Sequence, residues 1–336
     1  LKQAYKDEDR YFILKKKISF EEYKALRNFP LVRQGRNKSG FIIDPRDKRI
    51  NPYVLLANRT IGLSREDSTK NVGLERSYDS LLKGSSGQRL MRYVAGAYLP
   101  VEGAELEPEN GKDIITTLDT YMQDVAENAL MRMLVSNNSV HGTAIVMETA
   151  TGKIKAIANL GQQKNKDGTI KKDKDGNSIY AEDLNYGIGK ATEPGSIFKL
   201  ATLMSLLEDK YVTINSTVNC EGGVKFFYGL RIKDSHLGAG DISVKQAFYT
   251  SSNVAFAKMA DQYYHTQPSK FINHLHRFRL DTITGIDIDA ASAKTTIKKP
   301  TNRSWANTTI PFMAHGYEEL VTPLHMLMLY NAVANN

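Results

Sequence analysis

Two short strings in this chain carry residue types that can act together on an acyl group. Ser196 and Lys199 stand in ATEPGSIFKL, residues Ala191–Leu200. Pro194 and Gly195 break whatever precedes them, and Ile197 to Leu207 is apolar almost all round apart from Lys199. That pattern predicts a buried helix with Ser196 at its start, where a serine oxygen caps free backbone N–H groups. Residues three apart share a helix face, so the amine and the hydroxyl should lie side by side. Burial favours the neutral amine, and a neutral amine beside a hydroxyl is a general base beside its nucleophile. The second string is TSSNVAFA, residues Thr250–Ala257. Ser251 and Asn253 can both face a cleft if the backbone there is a loop or a helix cap. A hydroxyl so placed relays a proton, and an amide orients an amine or binds a substrate carbonyl.

Each string has a double. Ser80 and Lys83 repeat the first spacing, and Ser136-Asn137-Asn138 resembles the second. The separations are too similar to choose between them, so context decides. Ser80 and Lys83 fall in an amphipathic helical stretch with charged neighbours and no Pro-Gly break, which reads as surface. Ser136 lies in a polar turn after a helix. Ser251 lies between the helical stretch Val244–Tyr249 and the apolar helix Val254–Met259, and rigid support on both sides favours it.

The elements that must hold these strings can be read from periodicity. Phe20–Leu26 reads as a short amphipathic helix and Phe41–Asp44 as a strand. Gly73–Gly84 has a helical period, Gln88–Leu99 reads as a strand, and Pro100–Gly111 as an acidic link. Asp113–Leu118 has the β-branched content of a strand. Asp119 should cap a helix over Thr120–Leu134. Gly142–Met147 and Lys153–Ala158 read as a hairpin turning at Thr151-Gly152-Lys153, and Val224–Ile232 as a strand pair about Gly229. The polar, lysine-rich Gln162–Tyr180, twice carrying Asp-Gly, reads as an exposed loop or small hairpin. A helix packed on a hairpin makes the class α+β. At 336 residues the chain is expected to hold two domains, 1–110 and 111–336.

Composition narrows the function. The net charge is +8, and residues 1–60 hold 15 Lys and Arg against 7 Asp and Glu, so the excess belongs to the N-terminal segment. Such an excess suits an anionic membrane surface or an acidic partner as well as a solvated face. No nucleic-acid-reading motif is present, so no nucleic-acid partner is expected. Cys220 is the single cysteine, so no intrachain disulfide forms. His274 and His276 are two apart in a helical pattern and do not share a face. With no His-Glu-x-x-His, no cysteine cluster and no glycine-rich phosphate loop, no metal or cofactor is expected.

Ser-x-x-Lys followed by Ser-x-Asn is shared by penicillin-binding proteins and β-lactamases. The surrounding text sharpens the match. EPGSIFKL, SSNVAFAK, DIITTLD with QDVAENAL, GTAIVMETATGKIKAIAN and VTPLHM resemble class B penicillin-binding proteins, the monofunctional peptidoglycan DD-transpeptidases. RINPYVLLANRTIGL and GLERSYDSLLKGSSGQ resemble the pedestal domain of that class, and the sub-type is closer to the division enzyme than to the elongation one. The resemblance implies a pedestal followed by a β-lactamase-like transpeptidase domain. It implies Ser196 as the acylated nucleophile, Lys199 as its base, Ser251 as a proton relay and Asn253 as the group that orients Lys199 and substrate. The backbone N–H of Ser196 would be half of an oxyanion hole. It further implies peptidoglycan stem peptides and β-lactams as ligands, a glycosyltransferase and division-complex membrane proteins as partners, and an inner-membrane anchor with the domains in the periplasm. The family's third motif, Lys-Thr/Ser-Gly, is absent. Lys294-Thr295-Thr296 lacks the glycine and precedes VTPLHM, so the transpeptidase domain is expected to be incomplete. Two other readings share the site: a DD-carboxypeptidase or β-lactamase, and a β-lactam sensor or non-catalytic scaffold.

Overall fold

The computed structural model describes residues 6–8, 11–34, 36–42, 50–53, 56–63, 71–94, 97–106, 109–288 and 292–336. Contacts divide the chain into two compact units, Leu1–Pro52 and Tyr53–Asn336. The break therefore falls earlier than the 110/111 boundary expected. Residues 53–110 are tied to the segments on their C-terminal side: Ala57 N–H donates to Glu127 Oε1 at 2.8 Å, and Lys112 N–H to the Leu81 carbonyl at 2.8 Å.

In the first unit the helix α1, Phe20–Arg27, forms as expected. Ser19 and Glu22 make a reciprocal capping box, each side chain accepting from the other's backbone N–H at 3.2 and 2.9 Å. The strand expected over Phe41–Asp44 falls partly outside the described residues. Phe41 and Ile42 are not in a strand.

In the second unit the single helix expected over Gly73–Gly84 is two short ones, α2 (Gly73–Ser77) and α3 (Asp79–Leu82). They part at Tyr78, whose φ of −114° and ψ of 20° leave the helical region. The expected strand and link over residues 88–111 are instead one antiparallel pair, β1 (Gln88–Val94) and β2 (Ala97–Leu106). Pro100 stands within β2, as an edge strand of a two-stranded sheet allows. Asp113–Leu118 forms no strand, and Ile115 is 97% exposed. Among the described residues, the hydrogen bond of this stretch to the next sheet is from Thr117 Oγ1 to the Ile154 carbonyl, followed just past its end by Asp119 N–H to that of Lys155.

Asp119 caps α4 (Thr120–Ser136), accepting from Met122 N–H at 2.9 Å. The helix packs on an antiparallel sheet of β3 (His141–Met147), β4 (Ile154–Gln162) and the short β5 (Tyr180–Ala181), in the order β3-β4-β5. Ala126 meets Ala156 and Ala158, and Leu134 meets Leu160. The buried Gln123 completes the backbone of β4. It accepts from Ile157 N–H at 2.7 Å and donates to the Ile157 carbonyl at 3.2 Å.

The larger core surrounds two buried helices, α5 (Lys199–Glu208) and α7 (Asn253–Tyr264). Phe198, Leu206, Phe256, Tyr264, Phe271 and Met313 fill it, all fully buried. Between those helices in sequence lie β6 (Thr217–Asn219), β7 (Val224–Phe227), β8 (Leu230–Lys233), β9 (Asp241–Ser243) and α6 (Val244–Tyr249). β7 and β8 form the expected hairpin, with Phe227 opposite Leu230. α8 (Pro268–Arg277), α9 (Thr309–Met313) and α10 (Pro323–Asn335) contribute Phe271, Met313 and Met326 to the same core. The architecture is α+β. Among the described residues no helix is long and apolar enough to cross a membrane.

Candidate active site

The turn that carries Ser196 differs from the sequence expectation. Gly195–Phe198 is a 3₁₀ turn, and α5 begins only at Lys199, so Ser196 does not cap the helix. Two glycines allow the turn to sit where it does. Gly195 has φ 62° and donates its N–H to the Gly316 carbonyl at 2.9 Å. Gly316 has φ 94°, and a Cβ there would fall 1.9 Å from the Gly195 carbonyl oxygen. The backbone on either side is also paired, Thr192 with Val321. Ser196 is left exposed while Lys199, one residue past the turn, is 1% exposed.

The second string ends one helix and starts the next. Ser251 N–H donates to the Phe248 carbonyl at 3.1 Å and Ser252 N–H to that of Ala247 at 2.9 Å. This is a Schellman end to α6, with Ser251 at the left-handed position that glycine usually takes, φ 57°. Ser252 then caps α7, accepting from Ala255 N–H at 3.0 Å. Reversal of the chain between two helices turns both the hydroxyl and the carbonyl of Ser251 toward Lys199.

The four residues meet at the lysine amine. Lys199 Nζ lies 3.0 Å from Ser196 Oγ, 2.9 Å from Ser251 Oγ, 2.8 Å from the Ser251 carbonyl and 2.6 Å from Asn253 Oδ1. Asn253 Nδ2 donates to the Lys233 carbonyl at 2.8 Å, which fixes the amide with its oxygen toward the lysine. The Ser251 carbonyl and Asn253 Oδ1 can only accept, so two N–H bonds of Lys199 go to them. The remaining position faces the two hydroxyls. It holds a third N–H when the amine is charged and a lone pair when it is neutral. Burial brings the Lys199 pKa down to about 8, against the opposing charge of Asp234. A neutral fraction of about one in ten at pH 7 follows.

Sequence reasoning missed two residues here. Asp234, 5% exposed, accepts from Ser252 Oγ at 2.8 Å and from Val254 N–H at 2.9 Å, and so ties the end of β8 to the start of α7. His315, 4% exposed, lies near enough for the charge of Lys199 to disfavour its protonation. Burial is the larger cause, and together they lower its pKa to about 4. An aspartate or a histidine far along the chain carries no local pattern that points to either role. The doubles stay apart from the site. Ser80 on α3 and Lys83 just past its end are both exposed, and Ser136 Oγ donates to the Met133 carbonyl at the exposed end of α4.

Residues 142–336, more than half of the chain, match the family described as penicillin binding protein transpeptidase domain. The chain belongs to that family. It is 24% identical over 297 residues to the peptidoglycan D,D-transpeptidase FtsI of Buchnera aphidicola, covering 88% of this chain and 49% of the relative. It is 23% identical over 299 residues to the protein of the same name from Escherichia coli, covering 88% and 48%. The chain thus spans about half the length of the curated relatives it matches. Among solved structures, a putative peptidoglycan glycosyltransferase from Atopobium parvulum superposes with a TM-score of 0.68 at 23% identity, over 86% of this chain and 62% of that one. Penicillin binding protein 3 of Mycobacterium tuberculosis gives 0.62 at 20% identity, over 83% and 57%. At such identities the solved structures establish a shared fold.

Proposed function

We propose that this chain is the acylating part of a peptidoglycan DD-transpeptidase. The observation that carries the reading is the Lys199 amine, buried and held between the exposed Ser196 hydroxyl and the Ser251–Asn253 turn. Neutral Lys199 takes the Ser196 proton as Oγ attacks the carbonyl of a D-Ala-D-Ala peptide bond. The proton then passes, through the Ser251 hydroxyl, to the nitrogen of the departing D-alanine. An amine of a second stem peptide attacks the resulting ester, and its proton passes by way of Lys199 to Ser196 Oγ as the ester bond breaks, which restores the neutral lysine and the free hydroxyl. Asn253 keeps Lys199 in place and offers its amide to the substrate. β-Lactams acylate the same oxygen as mimics of the dipeptide.

The names of the FtsI relatives support a transpeptidase role, and the resemblance of the N-terminal text supports the division enzyme as the sub-type. Residues 1–110 act as the pedestal and 111–336 as the transpeptidase part, a division by role and not by compactness. The proposed setting is the periplasmic face of the inner membrane, beside a glycosyltransferase and division-complex proteins. Mass spectrometry of the full-length protein after incubation with benzylpenicillin tests the core of this reading. One covalent adduct on the peptide that contains Ser196 is expected. No adduct, or an adduct that survives Ser196→Ala, sinks it.

A further inference from the structure

Beside Asn253 the surface opens into a cleft of about 210 Å³. One wall is β8, where Arg231 and Lys233 are two apart and therefore share a face, while Ile232 between them is buried. Phe312, His315 and Tyr317 also line the cleft. Neither the Arg231 nor the Lys233 side chain has a hydrogen-bond or ion-pair partner among the described residues. The nearby carboxylate of Asp234 is turned inward, with both oxygens engaged by Ser252 and Val254. Both ring nitrogens of His315 are buried without a hydrogen-bond partner. A neutral imidazole always carries one N–H, so His315 keeps one unused, buried donor within the cleft lining. Two cations without partners, an unused donor and aromatic side chains in one cleft lining suit an anion on an apolar stem.

We propose that this cleft is a subsite for a carboxylate carried by the peptide substrate, gripped by Arg231 and Lys233 and seated toward His315. The inference rests on the transpeptidase reading and deepens it, because it selects acidic peptides over neutral ones. A D-Ala-D-Ala peptide with an acidic side arm offers two carboxylates, one at its C-terminus and one at the tip of that arm.

Calorimetric titration of full-length Ser196→Ala protein separates them. The probes are acetyl-L-aminopimelyl-D-Ala-D-Ala, the same peptide with its side-arm carboxylate amidated, and the same peptide with its C-terminus amidated. Amidation of the carboxylate that occupies the cleft should weaken binding about tenfold. Arg231→Gln with Lys233→Gln should impose a similar loss on the fully acidic peptide and almost none on the amide that already lacks that carboxylate. The loss should shrink in high salt, as screening requires. Equal affinity for all three peptides, or a double variant that binds them as the parent does, overturns the subsite. No binding of any peptide, together with no acylation of wild-type protein by benzylpenicillin, overturns the transpeptidase reading and the subsite with it. The peptide series on the unaltered cleft decides the question even if the double variant folds poorly.

Discussion

Ser251 sits in a backbone conformation, φ 57°, that disfavours any side chain with a Cβ. Glycine there would relieve the strain and remove the hydroxyl at once. Ser251→Gly is therefore expected to leave stability unchanged or raise it by up to about 1 kcal/mol. Acylation by benzylpenicillin should slow by about a hundredfold or more, the usual worth of a placed proton-transfer group. Thermal melting and stopped-flow acylation read the two effects separately, and an unaltered acylation rate would remove Ser251 from the proton path. Lys199 gives the second expectation. With its pKa brought down to about 8, acylation should rise about tenfold per pH unit below that value and level above it. A profile flat from pH 6 to pH 9 would rule out the neutral amine as base. All four meeting residues were legible in the sequence. A hydroxyl and an amine at short local spacing leave a pattern, and so does a polar pair set between two helices. Asp234 and His315 left none, because each reaches the site from another segment through tertiary packing.

The hairpin of β7 and β8 is an element whose end has a chemical consequence. Asp234 fixes Ser252 and Val254 in position, and its charge partly restores the lysine pKa that burial lowers. The two roles separate by substitution. Asp234→Asn keeps an acceptor for Val254 N–H and removes the charge, so the Lys199 pKa should fall further and the rise of acylation should move to lower pH. Asp234→Ala leaves the buried Val254 N–H without a partner and takes from the Ser252 hydroxyl its acceptor, the first costing about 1–3 kcal/mol. Its melting temperature should drop while the Asn variant stays near wild type. If the Asn variant shows no displaced pH profile, the charge of Asp234 has no part in tuning the base. Elements were legible where their own periodicity matched what they pack against, as in α4, β3, β4 and the β7–β8 hairpin. Asp113–Leu118 has strand composition but finds only isolated hydrogen bonds, so its β-branched residues stay in an extended, exposed segment. Tyr78 breaks a helix whose side-chain period runs on unchanged, which no reading of hydrophobic spacing detects.

Across the second compact unit, two buried carboxyl groups make folding depend on pH. Glu182 accepts from Arg59 N–H at 2.7 Å through one oxygen while the other lacks a partner. Burial, aided by the charge of Glu127, raises its pKa to about 7. Glu319 is fully buried with neither oxygen paired, and burial, then Glu193 and Glu318, raise its pKa well above the ordinary value of 4.5. Its neighbours in sequence, Leu320 and Val321, pair with Thr296 and Thr192, so it lies in the strand-like segment that supports the turn of Ser196. For both groups the folded chain holds its proton more tightly than the unfolded one. Their stability contribution is therefore fully present below pH about 4.5 and is lost as pH rises through the folded value. Glu182→Gln keeps a carbonyl for Arg59 and abolishes the titration. The variant should match wild type near pH 4.5 and become progressively more stable than wild type as pH approaches 7, with a constant gap above. Glu319→Leu removes two unpartnered oxygens as well as the titration, so it should stabilise the protein further, with a gap that widens as pH rises from about 4.5. Urea denaturation at pH 5, 7 and 9 distinguishes these courses. A gap between Glu182→Gln and wild type that is the same at pH 5 and pH 7 would mean that Glu182 is already ionised in the fold at pH 5, and that its burial gives stability no pH dependence in this range.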